Sequence, residues 1–378
     1  MNQFWLKMYK YDLTYATVDS LSEGVGSSQI APLMEKLANH GMKINLLTFE
    51  KETPPDSLVE RMRKASVEWI QIPFGNNGPF GGLTRTLQLA KLLPDSEITH
   101  ARSDFPAVAA RFSGQDRILW DVRSLWADQR RFIEESRLKR NVLSLYSPFE
   151  KLACNSAIAL STLTQAVVPV LEDRHRHLPG LRTVVPTAVD LDRFKFSPVM
   201  PPKLKGLYSG TYNYYYNLEL SRNFLSALRQ IVACDVDWAK PKESQVVKLN
   251  AGENSNFSVS QPEMAGLMSG YSFGISICKE DAGLSLKAAM PTKIAEFLAI
   301  GRPVVVNQGL GDCDELFSDG HAGIIIKSTD NLKKKAEELI NLCMDPSTPI
   351  NCRNLAEKHF SLDVGVGNYL DLYSRMWQ

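Results

Sequence analysis

The sequence lacks the features that mark secreted, membrane-spanning or metal-binding proteins. Its six cysteines are scattered among 378 residues with no C-x-x-C pair, so neither a disulfide framework nor a zinc site is indicated. No stretch approaches the roughly 20 apolar residues of a membrane span, and the first residues lack the apolar core of a signal peptide. These absences predict a cytoplasmic protein with free thiols.

An excess of charge of one sign is also absent. The chain has 43 basic and 42 acidic residues, a net charge of +1, and this balance gives no reason to expect a nucleic-acid partner. No His/Cys cluster has metal-ligand spacing. D-x-D triplets begin at Asp190, Asp235 and Asp312. The last two could be metal ligands, but chance surface acids are the simpler interpretation.

The chain is too long for one typical core, and strand-like and helix-like segments alternate along it. This pattern predicts an α/β protein with two domains. Residues 195–203 are proline-rich and short, as an interdomain linker should be. We predict an N-terminal domain over residues 1–195, a C-terminal domain over 204–362 and a final helix over 363–378.

The most informative stretch is 288–306, which reads AAMPTKIAEFLAIGRPVVV. Ile294, Phe297 and Leu298 recur at helical spacing, Gly301 fits a helix stop, and the following valines read as a buried strand. The stretch is therefore half of a βαβ unit. The N-terminus of its helix would attract an anion, phosphate especially.

Lys293 and Glu296 lie three residues apart on this helix and are therefore neighbours on its surface. An ammonium suits phosphate, and a carboxylate accepts hydrogen bonds from ribose hydroxyls, so the pair suits a nucleotide. On spacing alone, a solvent-exposed Lys–Glu pair is the simpler interpretation.

A glycine loop with Gly24 and Gly26 follows the first predicted strand, at the edge where open α/β sheets bind ligands. Gln29 replaces the third glycine of the dinucleotide fingerprint, so the signal for NAD is weak. Glu50, at the end of the second strand, nevertheless stands where an acidic ribose partner would belong. The alternative is a plain flexible turn.

His100, Asp121 and Arg123 fall at the carboxyl ends of predicted strands. An imidazole or carboxylate there could hold a proton from an attacking hydroxyl, so the three are candidate catalytic residues. The alternatives are a hydrogen-bonded core histidine and a structural ion pair.

The stretch around Lys293 resembles the donor site of the retaining GT-B glycosyltransferases of family 4, in which a helix of the form PTKxxEYLAxGxPVV carries the ribose-binding glutamate. The matching residues are Pro291-Thr292-Lys293, Glu296-Phe297-Leu298-Ala299, Gly301 and Pro303-Val304-Val305. Two weaker matches are the segment 184–194 and the Tyr-Ser-Gly-Thr turn that ends at Thr211. The resemblance spans nearly the whole chain.

This resemblance implies two Rossmann-like domains whose parallel sheets face an interdomain cleft, with the last helix crossing back to the first domain. It implies a UDP- or GDP-sugar as substrate, no metal or bound cofactor, and transfer with retention to a glycan or lipid-linked hydroxyl in surface polysaccharide synthesis. The implied donor-binding residues are Glu296, Lys293, Thr292, Pro291, Gly210, Thr211 and Glu280. Gly24 and Gly26 would form an acceptor or phosphate loop, with catalysis at His100, Asp121 and Arg123.

The sequence departs from this family pattern in two places. Ala288 stands where many members have a second glutamate, and residues 212–217 lack the arginine and lysine that often hold the diphosphate. Both departures favour a rival, a catalytically silent nucleotide- or glycan-binding subunit. A sugar-nucleotide epimerase or hydrolase would need paired carboxylates, for which Asp121 and Glu280 are the candidates, and an NAD oxidoreductase is the third alternative.

Basic residues crowd one predicted helical segment: Arg130, Arg131, Arg137, Lys139 and Arg140, beside Phe132, Ile133 and Leu138. A basic amphipathic face could contact anionic lipid at the inner face of a membrane. The alternative is an ordinary solvated face.

Overall fold

The computed structural model describes residues 9–75, 80–210, 215–240, 249, 253–258 and 261–378. The chain divides into two compact units. The first comprises residues 1–163, 168–185 and 366–378, and the second comprises 164–167 and 186–365. The boundaries predicted at 195, 204 and 363 stay predictions. Over the described residues, no helix is both long and apolar enough to cross a membrane.

The first unit contains a seven-stranded sheet in the order β3-β2-β1-β4-β5-β6-β7. Its strands are β1 Tyr11–Ala16, β2 Ile44–Glu50, β3 Val67–Pro73, β4 Ser96–Arg102, β5 Ile118–Val122, β6 Ala159–Thr162 and β7 Leu181–Val184. All neighbouring strands are parallel. Every residue of β2 and β5 is buried, as expected for parallel strands covered on both faces.

Helices connect these strands: α1 Ala31–Asn39, α2 Asp56–Lys64, α3 Gly81–Leu92, α4 Asp104–Phe112, α5 Trp126–Ile133, α6 Arg137–Ser144, α7 Ser147–Ser156 and α8 Val168–Arg174. A π-helical turn, Gly26–Ile30, leads into α1. The strand order reverses between β1 and β4, so this sheet has its switch point there. In open α/β sheets, ligands bind outside the carboxyl ends of the strands at this point.

The second unit contains a six-stranded parallel sheet in the order β10-β9-β8-β11-β12-β13. Its strands are β8 Lys205–Ser209, β9 Asp235–Lys240, β10 Glu253–Ser258, β11 Phe273–Ser276, β12 Val304–Asn307 and β13 Gly323–Ile326. The switch point of this sheet lies between β8 and β11.

The helices of the second half are α9 Leu218–Arg229, α10 Gln261–Met268, α11 Leu284–Lys287, α12 Thr292–Ile300, α13 Cys313–Leu316, α14 Leu332–Met344, α15 Thr348–His359 and α16 Leu362–Trp377. A short 3₁₀ turn, Glu280–Ala282, precedes α11. A Cβ on Gly274 of β11 would lie 2.1 Å from the Phe297 ring, so only glycine lets α12 pack this closely on the sheet. The predicted helix stop is confirmed, because Gly301 has a φ of +93° in the left-handed region.

Candidate functional site

Lys293 is a buried cation without an anionic partner. It is the second residue of α12, and its side chain is only 9% exposed. Across the residues that the structure describes, it forms no ion pair and no hydrogen bond. Its Nζ lies 4.2 Å from the centre of the Tyr216 ring, a cation–π contact. Burial lowers the pKa of Lys293 to about 8.

The first turn of α12 meets the carboxyl end of β8. A Cβ on Gly210, which directly follows β8, would lie 3.7 Å from both Cε and Nζ of Lys293. Gly210 has a φ of +93°, a left-handed conformation that favours glycine. The ammonium thus lies beside the switch point of the second sheet, where a ligand is expected.

Two buried hydroxyls also lack partners at this edge of the sheet. Ser209 ends β8 and Ser276 ends β11, and neither Oγ has a hydrogen-bond partner among the described residues. Buried polar groups are normally hydrogen-bonded. Unsatisfied hydroxyls at adjacent strand ends, beside an unpaired ammonium, form a polar environment suited to an anionic, oxygen-rich ligand.

Glu296 is half-buried and forms no hydrogen bond or ion pair within the described part of the chain. Burial raises the pKa of its carboxyl to about 7, and the charges of Arg193 and Lys293 offset only part of this effect. The simpler interpretation of Lys293 and Glu296, an exposed surface pair, is wrong, because Lys293 is buried and no ion pair joins them. Each group keeps its hydrogen-bonding capacity.

The other predicted donor residues have mixed placements. Pro291 directly precedes α12 and Thr292 is its first residue, and both are half-buried. Both carboxylate oxygens of Glu280 accept hydrogen bonds from Ser328, from its backbone N–H at 2.9 Å and its hydroxyl at 2.7 Å. Glu280 therefore links its own turn to the loop that contains Ser328. Thr211 lies outside the described residues.

The three predicted catalytic residues lie together in the first unit. Oδ2 of Asp121 is 3.3 Å from Nε2 of His100, and its Oδ1 is 3.6 Å from Nη1 of Arg123. Ser161 donates a hydrogen bond of 2.8 Å to Oδ1 of Asp121, and Arg102 lies 3.8 Å from Oδ2. The side chains of His100 and Asp121 are completely buried.

Helix α16 supplies further partners for these buried groups. The Tyr373 hydroxyl lies 2.6 Å from Nδ1 of His100, and the His100 and Tyr369 rings are 4.9 Å apart. Arg123 donates a 2.8 Å hydrogen bond to the Val185 carbonyl. These contacts match the alternatives of a core histidine and a structural ion pair. A direct catalytic role for His100, Asp121 and Arg123 stays a prediction.

The pKa shifts agree with a structural cluster. Burial alone would raise the pKa of Asp121, but Arg123, His100 and Arg102 hold it well below its usual range. Burial lowers the pKa of His100, so its imidazole is neutral near pH 7 despite the adjacent carboxylate. The cluster therefore holds a stable carboxylate–arginine arrangement.

Glu50 organises the glycine loop that follows β1. Its carboxylate accepts hydrogen bonds from Leu21 N–H (2.8 Å) and from the hydroxyls of Ser20, Ser22 and Thr48. These four bonds occupy the carboxylate, so it has no free acceptor for a ribose hydroxyl. Glu50 is therefore not available as the acidic ribose partner that NAD binding would need.

Gly24 and Gly26 lie where the helix after this loop begins. Gly24 has a φ of +44°, and its carbonyl accepts hydrogen bonds from the hydroxyls of Ser27 and Ser28. A Cβ on Gly26 would lie 1.9 Å from the Ser20 carbonyl oxygen, so a side chain cannot fit there. The role of this loop toward acceptor or phosphate stays a prediction.

Three residues at the carboxyl edge of the first sheet are not among the site residues predicted from the sequence. Asp19 follows β1, Arg102 ends β4, and Ser103 has a φ of +79°, which is unusual for a residue other than glycine. The position of Asp19 and Arg102 just after or at predicted strand ends was the available signal. Among the described residues, no group of three or more His, Cys, Asp or Glu side chains could hold a metal ion.

Solved structures resemble the whole chain. Sucrose-phosphate synthase from Thermosynechococcus elongatus matches with a TM-score of 0.71 and 12% identity, covering 97% of this chain and 98% of that one. Anabaena HepE, solved with UDP-glucose, matches with a TM-score of 0.68 and 12% identity over 97% and 100%. WaaG, a glycosyltransferase involved in lipopolysaccharide biosynthesis, matches with 0.64 and 14% over 94% and 98%. The chain has the GT-B fold.

The predicted GT-B architecture of two Rossmann-like domains is thereby confirmed, whereas the cleft between them stays a prediction. No protein-family model matches the sequence, and a search of curated proteins gives no significant match. In this GT-B protein each sheet has its own switch point. Beside one lies a cation that is unpaired among the described residues, and beside the other lies a cluster of opposite charges.

Proposed function

We propose that this protein transfers a sugar from a nucleotide diphosphate sugar to a hydroxyl of a glycan or lipid-linked acceptor. The unpaired, buried ammonium of Lys293 carries this proposal. A lone charge costs free energy in a protein interior, and it persists most readily where a ligand supplies the opposite charge. A diphosphate beside the first turn of α12 would supply that charge.

The neighbouring groups support a sugar nucleotide over inorganic phosphate. Glu296 lies one turn along α12, and its oxygens accept no hydrogen bond from the described residues, which suits the paired hydroxyls of a ribose. HepE was solved with UDP-glucose, and this supports a UDP-sugar as the donor. We propose that Lys293, Thr292 and the N-terminus of α12 bind phosphate and that Glu296 binds ribose.

Ala288 keeps one rival open. It is buried, with 1% of its surface exposed, so a methyl group is packed where many relatives place a carboxylate. A nucleotide-binding subunit without turnover would need Lys293 and Glu296 but not that carboxylate. The epimerase alternative loses support, because Asp121 is enclosed and Glu280 is bound to Ser328.

Thermal shifts against UDP, GDP, ADP, dTDP and NAD test the donor site. A ligand at about 100 times its dissociation constant stabilises the protein by roughly 2.7 kcal/mol. We expect a rise in melting temperature with one nucleoside diphosphate, abolished in Lys293→Met, reduced in Glu296→Gln and retained in Lys333→Met, an exposed control in the same unit. A shift with NAD alone, or one that survives both site substitutions, would contradict the proposal.

Turnover then separates the transferase from the silent subunit. The stabilising nucleotide identifies the sugar nucleotide to use, and release of its diphosphate is measured in the presence of glycan acceptors. Release that depends on Lys293 supports the transferase. Binding without release under any acceptor supports the silent subunit.

We propose a peripheral, cytoplasmic contact with anionic membrane through α6. Leu138 within α6 is 78% exposed and Leu145 just after it is 67% exposed. The charged residues of α6 are Arg137, Lys139 and Arg140, all basic. Exposed leucines next to positive charge fit an anionic lipid surface, and WaaG's involvement in lipopolysaccharide biosynthesis is consistent with an acceptor made at a membrane.

Co-sedimentation with vesicles tests this contact. We expect binding to vesicles with about one-third phosphatidylglycerol, little binding to pure phosphatidylcholine, and salt sensitivity. Leu138→Ser with Leu145→Ser should abolish binding. Val199→Ser with Met344→Ser should not, although those side chains are equally exposed at 73% and 76%. Equal losses in both double variants would contradict the proposal.

A further inference from the structure

Asp19 presents a free carboxylate oxygen at the switch point of the first sheet. It follows β1, and its side chain is 45% exposed. Oδ2 accepts hydrogen bonds from Arg102 Nε at 3.0 Å and from the Thr17 hydroxyl at 3.1 Å. Within the described residues, Oδ1 has no partner. One oxygen of the carboxylate is thus hydrogen-bonded within the protein, and the described residues leave the other open to a ligand.

The backbone and Arg102 hold this carboxylate in place. The Asp19 N–H donates to the Thr17 hydroxyl at 3.0 Å, and its carbonyl accepts from the Phe49 N–H at 3.3 Å. Arg102 is 7% exposed and also lies 3.8 Å from Oδ2 of Asp121. Arg102 therefore contacts both the buried cluster around Asp121 and the carboxylate of Asp19. Its hydrogen bond to Oδ2 orients that carboxylate.

Backbone strain at the adjacent strand end is a second, independent observation. β1 and β4 are paired at Ala16 and Ala101, which places the residues that follow them side by side. Ser103 has φ +79° and ψ 178°, and its N–H is bonded to the Asp121 carbonyl at 2.9 Å. This conformation is strained for a residue other than glycine, and such strain concentrates at functional sites.

We infer that Oδ1 of Asp19 accepts a hydrogen bond from a hydroxyl of the acceptor sugar. This inference rests on the proposed transferase function. A hydroxyl fits better than a cation, because the Arg102 guanidinium already offsets the charge of Asp19 at 3.0 Å. An O–H donor bound to a carboxylate forms a short, charge-assisted hydrogen bond without adding charge. The hydrogen bonds from Arg102 and Thr17 to Oδ2 hold the carboxylate in this orientation.

Saturation-transfer NMR with methyl glycosides of glucose, galactose, mannose and N-acetylglucosamine tests the inference without knowledge of the natural acceptor. At about 10 mM glycoside, we expect a signal from at least one glycoside in the parent protein and an at least fivefold smaller one in Asp19→Ala. Asp12→Ala is the matched control, because Asp12 lies at the amino end of β1, the strand that Asp19 follows, and among the described residues its carboxylate also has hydrogen bonds at Oδ2 only, here from the Lys43 backbone N–H. It should keep the parent signal.

Several outcomes would overturn the inference: no signal with any glycoside in the parent, an unchanged signal in Asp19→Ala, or equal losses in both variants. Melting temperatures of both variants show whether they fold, and Asp19→Asn, which keeps the shape of the side chain, replaces Asp19→Ala if the latter does not. The nucleotide-induced melting shift is an independent measurement. If no nucleotide shifts the melting temperature, the proposed donor site is contradicted. The glycoside signals would still test the role of Asp19 independently.

Discussion

The two charged clusters of this molecule differ in how completely their charges are paired. In the first unit, Asp121 is enclosed with His100, Arg102 and Arg123, which lie 3.3–3.8 Å from its oxygens, although Oδ2 accepts no hydrogen bond within the described residues. In the second unit, Lys293 is buried with no anionic partner among the described residues. The charges of the first arrangement lie beside opposite charges of the same unit, whereas the second, under the proposed function, would gain its counter-charge from a bound diphosphate.

Arg302 shows that the second unit can satisfy a buried cation when the role is structural. It follows α12, is fully buried, and donates hydrogen bonds to several backbone carbonyls: Tyr271, Ser197, Val199, Ser269 and Gly301. Lys293 lies near the start of α12 and lacks such partners among the described residues. The two buried cations lie about one helix length apart and differ in whether the protein supplies their hydrogen-bond acceptors. This difference supports a binding role for Lys293.

The largest expected effect on stability comes from a substitution that breaks the paired cluster around Asp121. Asp121→Ala leaves Arg102 and Arg123 without a buried counter-charge, and such a loss typically costs about 3–5 kcal/mol. Equilibrium urea unfolding should show this decrease in the free energy of unfolding. Asp371→Ala, which removes an exposed ion pair with Arg375 on α16, should cost less than about 1 kcal/mol. Similar costs for both would contradict a structural role for Asp121.

A smaller effect of opposite sign is expected at the unpaired cation. Lys293→Met should raise the free energy of unfolding at pH 7 by about 1–3 kcal/mol while removing nucleotide binding, because the pKa of Lys293 lies near 8 rather than 10.5. Between these values the unfolded chain binds more protons, so the parent gains stability as pH rises from 8 to 10.5. The advantage of the variant should therefore shrink at pH 10. A destabilised Lys293→Met would show that the ammonium already has a stabilising partner.

The pH dependence of donor binding sharpens the comparison further. UDP-glucose should bind most tightly between pH 7 and 8, where Lys293 is charged and Glu296 is ionised. Affinity should fall by up to about tenfold per pH unit above 8 as the ammonium loses its proton, and more gently below 7 as Glu296 becomes neutral. Isothermal titration calorimetry measures both limbs. Glu296→Gln should lose the acid limb and keep the alkaline one, and a flat profile would contradict the assignment.

Local patterns were sufficient to predict most elements of the fold. The helix and strand around Lys293 appear as α12 and β12, because apolar spacing, Gly301 and the valine run are all local signals. At the start of α4, the Asp104 side chain accepts a hydrogen bond from Trp120 in the core, and Ser103 occupies the cap position.

Pairing of charges could not be predicted in the same way. Whether Lys293 is exposed depends on Gly210 and Tyr216, which lie far away in sequence. The enclosure of His100 depends on Tyr373, 273 residues later. Strand ends indicate which edge of a sheet holds polar groups, but only the packing of distant segments decides which of those groups remain free.

The contact between His100 and Tyr373 also sets an order of events during synthesis. The core of the first unit contains residues from β1, β4 and α16, so most of its sequence leaves the ribosome long before the helix that completes it. Until Tyr369 and Tyr373 emerge, the His100 ring and the adjacent sheet surface stay uncovered. The first half of this chain therefore reaches its final packing only after the second half has been translated.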